Sequence, residues 1–504
     1  MELQSSSFPI LACFIFFALM VFKILKRSKS TSKLPPTPWK LPLIGNLHQM
    51  VGFEPHLALR NLGKKYGPLM YLQIGEVPTL VVSSAKYAKE VLKTHDTVFA
   101  SRPKLNAAKI ITYDFTSITF SPYGEYWRQL RKIALMELFT TKRIQSFRSI
   151  REQEMSKLIN WVFSNAARGS PINLTNKVFS STYTVVSRVA LGGESEEKDE
   201  LVSVIKESSE IVGGFNIQDV LPSLKLLHSI SGVSSRLEKV HQRSSNILEN
   251  IINQHIKAKE TPPMGGKSCE QAKDLVDVLL NFYKSDAEFP LTMNSIKAVI
   301  QDIFGAGGET SSATVDWAMV EMIKDPRVMK KAQAEVRQVF ENRGSFDETA
   351  IPELKYLKLV IKETLRLHPP VPLLLPRENT ERQVIDGYEI PAKTRVLVNA
   401  WAIGRDTEYW VDAERFYPER FIDNPIEFKG TNFEYIPFGA GRRICPGMMF
   451  GLANVEIMLS QLLYHFDWKL PDGTSPEDVN MTDLFGITMR RKDDLYLIPT
   501  PYRS

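Results

Sequence analysis

Cysteine is scarce: Cys13, Cys269 and Cys445 are the only three in 504 residues. Cys13 lies in an apolar run and Cys269 in a polar, Pro/Gly-rich stretch, so no disulfide framework is implied, which suits a reducing compartment. The eight histidines are scattered, and none stands in a metal-ligand spacing such as His-x-x-x-His. No Gly-x-Gly-x-x-Gly fingerprint follows a strand-like run, so flavin and nicotinamide sites are not expected. Gly266-Lys267-Ser268 looks like the end of a phosphate loop, but Thr261 occupies the place of the required first glycine and no strand precedes it. Acidic residues are missing between Leu3 and Phe53, where Lys23, Lys26, Arg27, Lys29, Lys33 and Lys40 are found. Setting those six and Glu2 aside leaves 57 basic against 56 acidic residues, so most of the formal charge of +6 belongs to the N-terminus. A near-neutral body argues against a nucleic-acid binder, which would carry a basic patch on the folded domain.

What the chain does have is ordinary globular composition, with 43% hydrophobic and 24% charged residues, and no fixed-period repeat. Residues 8–22 are apolar apart from Pro9, and Ile24 and Leu25 extend the run past Lys23. The run is slightly short of the roughly twenty residues that span a bilayer, but Lys23 can snorkel to the headgroups. Glu2 in front and Lys/Arg behind disfavour a cleaved signal peptide. Positive charge stays cytoplasmic, so an uncleaved anchor over 1–25 is expected, with a basic, Pro-rich linker over 26–42 and the main body, 43–504, in the cytosol. On that side the sequons at Asn173 and Asn480 would stay unmodified.

Strands are expected over 69–74 and 79–82, and again around 384–390 and 395–398. Helical periodicity covers 126–138, 143–167, 198–212, 236–259, 272–284 and 291–324. The expected architecture is mainly α with small β-sheets, and the stretch from 261 to 273 reads as a surface loop.

Phe438-Gly439-Ala440-Gly441-Arg442-Arg443-Ile444-Cys445-Pro446-Gly447 sets a lone cysteine among glycines and arginines, ahead of a long apolar run that reads as a helix. A thiolate there is a good axial ligand for haem iron, because glycines let the backbone approach a flat cofactor and nearby N–H groups tune the sulfur. Here the chain resembles the cytochrome P-450 family of haem-thiolate monooxygenases. The resemblance runs from the N-terminal anchor to the C-terminus, and implies the cytochrome P-450 fold preceded by one N-terminal transmembrane helix.

The family's Ala/Gly-Gly-x-Asp/Glu-Thr-Thr/Ser motif is matched by Gly305-Ala306-Gly307-Gly308-Glu309-Thr310-Ser311, in the middle of the longest expected helix. The resemblance implies that a local kink opens a pocket for dioxygen, that Thr310 hydrogen-bonds the oxygen, and that Glu309 relays protons from water. Glu363 and Arg366, with Arg420 downstream, resemble the family's buried Glu-Arg-Arg triad. Trp127, Arg131 and Arg377 are implied to face the haem propionates, as Arg443 can by its charge. Phe438, Cys445 and Gly447 are implied to hold the haem, with Cys445 on the iron.

The cofactor implied is haem b (iron protoporphyrin IX). The partners implied are dioxygen, a lipophilic small molecule, the endoplasmic reticulum membrane and a separate NADPH-cytochrome P-450 reductase. The motif wording is similar to the plant A-type branch, and within it to enzymes that oxidise terpenoids. Ile110, Ile111, Phe115, Phe215, Val371, Leu373, Leu374, Phe485 and Ile487 are the apolar residues expected around the substrate. A phenolic substrate, a reductase-independent haem-thiolate isomerase or dehydratase, and a non-enzymatic haem carrier or sensor stand as alternatives.

Overall fold

The computed structural model describes residues 33–193, 197–212, 217–224, 232–260, 274–283 and 290–502. The anchor expected over 1–25, Cys13, Phe215, Cys269 and the loop 261–273 lie outside them. Among the described residues no helix is long and apolar enough to cross a membrane.

The organising element is the helix Met293–Lys324, about 48 Å long at 1.5 Å per residue. Its start is fixed by a capping box: the Thr292 side chain accepts from the Ser295 N–H while the Ser295 hydroxyl accepts from the Thr292 N–H. It is α-helical at every residue through Gly305–Ser311. Packing against a neighbouring helix accounts for part of that glycine run. A Cβ on Gly308 would stand 2.5 Å from the Tyr183 ring, and one on Gly307 would stand 3.3 Å from Val186.

Tyr183 and Val186 belong to the helix Leu174–Leu191, which was not expected from periodicity. Its β-branched and hydroxylated residues are weak helix formers, and burial on several sides hides any single apolar stripe. Asn173 caps its start and left-handed Gly192 (φ 81°) ends it. The helix Pro326–Asn342 was missed for a different reason. Pro326 reads as a stop for the preceding helix, but it occupies the first turn of a new one capped by Asp325.

Other expectations need adjustment at their ends. The helix expected over 126–138 is Glu125–Ile133 followed by a π-helical turn, Ala134–Leu138. The helix expected over 143–167 is split at Phe147 into Thr141–Ser146 and Arg148–Ala166. Among the described residues of 272–284, Leu275–Leu280 is helical. Lys198–Val212 is helical as expected, and Val233–Glu260 is longer than expected.

Strands Leu69–Ile74 and Val77–Val82 form an antiparallel hairpin. Arg395–Val398 pairs parallel to the second strand, and the short strand Arg377–Glu378 lies antiparallel beside it. This edge position delivers Arg377 to the site. Glu363 and Arg366, fully buried, make a bidentate pair at 2.7 and 2.8 Å, and Arg420 Nε donates to Glu363 at 2.9 Å. Arg366 also donates to the carbonyls of Gly404 and Ala413, so this pair holds the irregular chain that leads to the cysteine loop.

The glycine contacts separate two substitutions on one helix. Gly308→Ala is expected to lower thermal stability, by about 1–3 kcal/mol for overpacking against Tyr183. Gly305→Ala meets only Ile205 at 3.9 Å and is expected to be neutral or stabilising, since alanine is the better helix former by about 1 kcal/mol. Paired thermal melts check the contrast; equal losses would refute the Tyr183 contact as its cause.

Candidate active site

Cys445 sits just ahead of the helix Met448–His465, which starts at Gly447. The backbone around it is held in shape by a bond from the Cys445 N–H to the Phe438 carbonyl at 3.0 Å. Gly441 is left-handed (φ 68°), and a Cβ there would collide with the Leu92 carbonyl, so only glycine serves. Phe438 packs edge-on against Phe428, with ring centres 5.4 Å apart. Burial pushes the Cys445 thiol up, while the Gly447 N–H and the Arg131 charge pull it down.

The thiol opens into a cavity of about 250 Å³. Phe438, Gly439, Pro446, Gly447 and Phe450 form the wall around the sulfur; Ile303, Ala306, Gly307 and Thr310 of the central helix contribute another part of the lining. Ile118, Val371, Leu374 and Leu375 extend the apolar lining.

Four arginines reach the same cavity: Arg102, Arg131, Arg377 and Arg443. Arg377 donates to Asp96 at 3.0 Å and to the Ala440 carbonyl at 2.9 Å. Arg443 donates to the carbonyls of Ala100, Ile118 and Ser121, and its guanidinium lies 4.2 Å from the centre of the Trp127 ring. Desolvation, with Arg377 and Arg131 nearby, pulls Arg443 down to about 9. Arg102 donates to the carbonyls of Thr119, Leu375 and Pro376, and is likewise held low by burial and by Arg443 and Arg377. Arg131 is lowered by burial, and among the described residues no hydrogen-bond acceptor meets it.

Carbonyl dipoles solvate Arg102, Arg377 and Arg443 without neutralising them. Asp96 is engaged by Arg377, and desolvation pushes Asp302, which accepts from the Thr119 N–H at 2.9 Å, up to about 6. The site therefore holds more buried positive charge than its acids balance, a mismatch that an anionic ligand removes. A flat porphyrin with two carboxylates fits that charge, the glycine-lined wall and the single thiol.

The site brings together eight of the nine residues expected from sequence. Cys445, Arg131, Arg377, Arg443, Phe438, Gly447, Thr310 and Trp127 all line the cavity, although the Trp127 N–H is already engaged by the Ile118 carbonyl at 3.0 Å. Thr310 donates its hydroxyl proton to the Ala306 carbonyl at 2.6 Å, leaving its lone pairs for the cavity. Glu309 is the exception: it lines a second, charged cavity with Ser209, Thr488 and Arg490.

Arg102, Asp96 and Asp302 were not expected in polar roles at the site. The resemblance places the stretch 102–121 along the pocket, but Ser101-Arg102-Pro103 carries no helical or strand period that would aim its arginine at the charged end. Of the apolar residues expected around substrate, Val371 and Leu374 line the cavity. Leu373 packs into the core beside the sheet, because Leu374 takes a left-handed turn (φ 50°) that sends neighbouring side chains opposite ways. Phe485 and Ile487 line the second cavity, Phe115 lines an outer cleft, and Ile110 and Ile111 line none of these.

The family profile described as "Cytochrome P450" matches residues 35–498. Premnaspirodiene oxygenase of Hyoscyamus muticus is 51% identical, over 98% of this chain and 99% of that protein. The 5-epiaristolochene 1,3-dihydroxylase of Nicotiana tabacum is 51% identical over the same shares. Desmethyl-deoxy-podophyllotoxin synthase of Sinopodophyllum hexandrum is 52% identical, over 98% of this chain and 97% of that protein. A solved zebra fish cytochrome P450 structure with abiraterone superposes with a TM-score of 0.73 at 25% identity, covering 90% of this chain and all of that one. Family profile, whole-length relatives and fold agree: the chain belongs to the cytochrome P-450 family and is a haem-binding monooxygenase.

Proposed function

We propose that this monooxygenase hydroxylates a terpenoid, a sesquiterpene or diterpene, at an unactivated C–H bond. The observation that carries the substrate class is the apolar cavity wall of Ile118, Ile303, Val371, Leu374 and Leu375, which suits a hydrocarbon better than a polar ligand. Two whole-length relatives that act on sesquiterpenes support it. Residues 1–25 are proposed as the single membrane anchor and 26–42 as its linker. Residues 43–504 are the proposed catalytic domain on the cytosolic side of the endoplasmic reticulum, supplied with electrons from NADPH by a separate reductase.

Haem bound through the Cys445 thiolate would supply the activation of dioxygen and its insertion into the C–H bond. The chain's own residues do the rest. At Cys445 burial pushes the thiol toward its neutral form, while the Gly447 N–H, the Arg131 charge and the helix N-terminus just after it favour the thiolate against that larger push. Arg102, Arg131, Arg377 and Arg443 would hold the two carboxylates of the cofactor, and Trp127 stacks under Arg443. The cavity's aliphatic side chains orient the substrate and exclude water. Glu309 is held up by desolvation and pulled back chiefly by the Thr488 hydroxyl, so it can carry a proton toward Thr310 on the next residue.

A second reading, oxidation of a podophyllotoxin-type compound, draws on the third relative. Microsomes holding the chain and a reductase decide between them: sesquiterpene hydrocarbons are expected to give hydroxylated products, and turnover of aromatic substrates alone would overturn the terpenoid reading.

Two substitutions test the assigned residues. Cys445→Ser is expected to abolish the thiolate-type Soret band of the reduced carbon monoxide complex, and its persistence would remove Cys445 from the iron. Thr310→Ala is expected to keep that band while product formed per NADPH consumed falls; unchanged coupling would remove Thr310 from proton delivery.

A further inference from the structure

The central helix divides two cavities. Ala306, Gly307 and Thr310 face the thiol; Glu309, Ser312 and Asp316 face a second cavity walled by charged side chains. Glu309 and Asp316 are seven residues apart, which puts them on one face about 10.5 Å apart along the axis. Roughly three hydrogen-bonded waters at about 2.8 Å steps cover that distance, and the Ser312 hydroxyl lies between.

Asp316 is 6% exposed. It accepts a hydrogen bond from the Thr175 hydroxyl, which itself accepts from the Leu495 N–H. Its nearest cation, Arg491, stops at 3.7 Å, beyond direct hydrogen bonding. Arg491 is 7% exposed and lines the same cavity; one guanidinium nitrogen donates to the Asn480 carbonyl, while Nε and Nη1 meet no acceptor among the described residues. A buried ion pair kept only for stability closes to hydrogen-bond contact. An open pair beside an orphaned donor, in a polar cavity, fits bridging water.

Hydroxylation consumes two protons: substrate, dioxygen, two electrons and two protons give alcohol and water. Resting on the monooxygenase reading above, we propose that the second cavity is the aqueous proton inlet, and that Asp316, positioned by Thr175 and Arg491, passes protons through water to Glu309. Asp316 suits the task because desolvation pushes its carboxyl up to about 6, against the pull of Arg491 and Thr175 and with the push of Asp494. The other charged groups in the cavity are Lys206 and Glu210 from the helix Lys198–Val212, and Arg490 and Lys492 beside Arg491; the helix Leu174–Leu191 offers Thr175 and Asn176 there.

The test uses the full chain with its reductase and any substrate it turns over. In Asp316→Asn, which keeps the size and cannot ionise, product per NADPH is expected to fall severalfold and to lose the pH-dependent part of its profile. In the wild type, coupling declines as pH rises through the carboxyl's titration and the donor is lost. Thr175→Val removes a bond that favours the carboxylate, so the decline is expected to move to higher pH. Hydrogen peroxide brings its own oxygen, electrons and protons, so peroxide-driven hydroxylation by Asp316→Asn is expected to match the wild type. An equal loss with peroxide makes Asp316 a structural clamp and overturns the relay, as does unchanged coupling and pH profile. Should Asp316→Asn fail to fold, the Thr175→Val shift decides, and no shift overturns the relay. A wild type that couples normally while these outcomes fail sinks the relay alone; a wild type without NADPH-dependent product sinks the monooxygenase reading with it.

Discussion

Desolvated guanidinium charge is costly unless an anion meets it, and four such groups converge on the space beside Cys445. Backbone carbonyls from the segments around 100, 118–121, 375–376 and 440 are turned toward three of them, Arg102, Arg377 and Arg443. This arrangement ties three distant parts of the chain to one edge of the cavity. It also explains why the cysteine loop is so constrained: Arg443 must reach back to Ala100 while Gly441 passes within contact of Leu92. A dianionic, flat cofactor held there would satisfy this charge. Assembly of the chain and binding of the haem are therefore coupled in the same set of contacts.

The central helix does more than support a pocket. Its glycines serve two masters, since Gly308 lets Tyr183 close against it while Gly307 and Ala306 leave room on the cavity side. Adjacent residues, Glu309 and Thr310, point to different compartments, one with the other charged groups of the second cavity and one beside the thiol and the aliphatic wall. A helix places neighbours about 100° apart, so a single step along the chain carries a group through the wall. That geometry separates a group on the second cavity from one beside the thiol, which is the separation that a controlled proton supply requires.

The Glu363–Arg366 pair acts at a distance from the chemistry. Its bonds to the carbonyls of Gly404, Ala413 and Arg415, and to Arg420 through Glu363, fix an irregular stretch that has little regular secondary structure of its own. Regular structure could not easily bend to present a thiol, so the loop is held by buried charge instead.

By itself the sequence determined the cysteine loop, the order of the motifs, the long helix and most of the other helices, because each rests on local signals: a glycine in a forced turn, a cap, an apolar period. It could not supply the helix Leu174–Leu191, whose burial on several sides erases the period, nor the helix that begins at Pro326, where one residue signals both a stop and a start. Arg102, Asp96 and Asp302 at the site, the turn that separates Leu373 from Leu374, and the placing of Glu309 and Asp316 on one charged cavity were decided only by tertiary structure. The reason is physical: a charge's role depends on which other charges share its low-dielectric surroundings, and those neighbours come from segments up to hundreds of residues away along the chain.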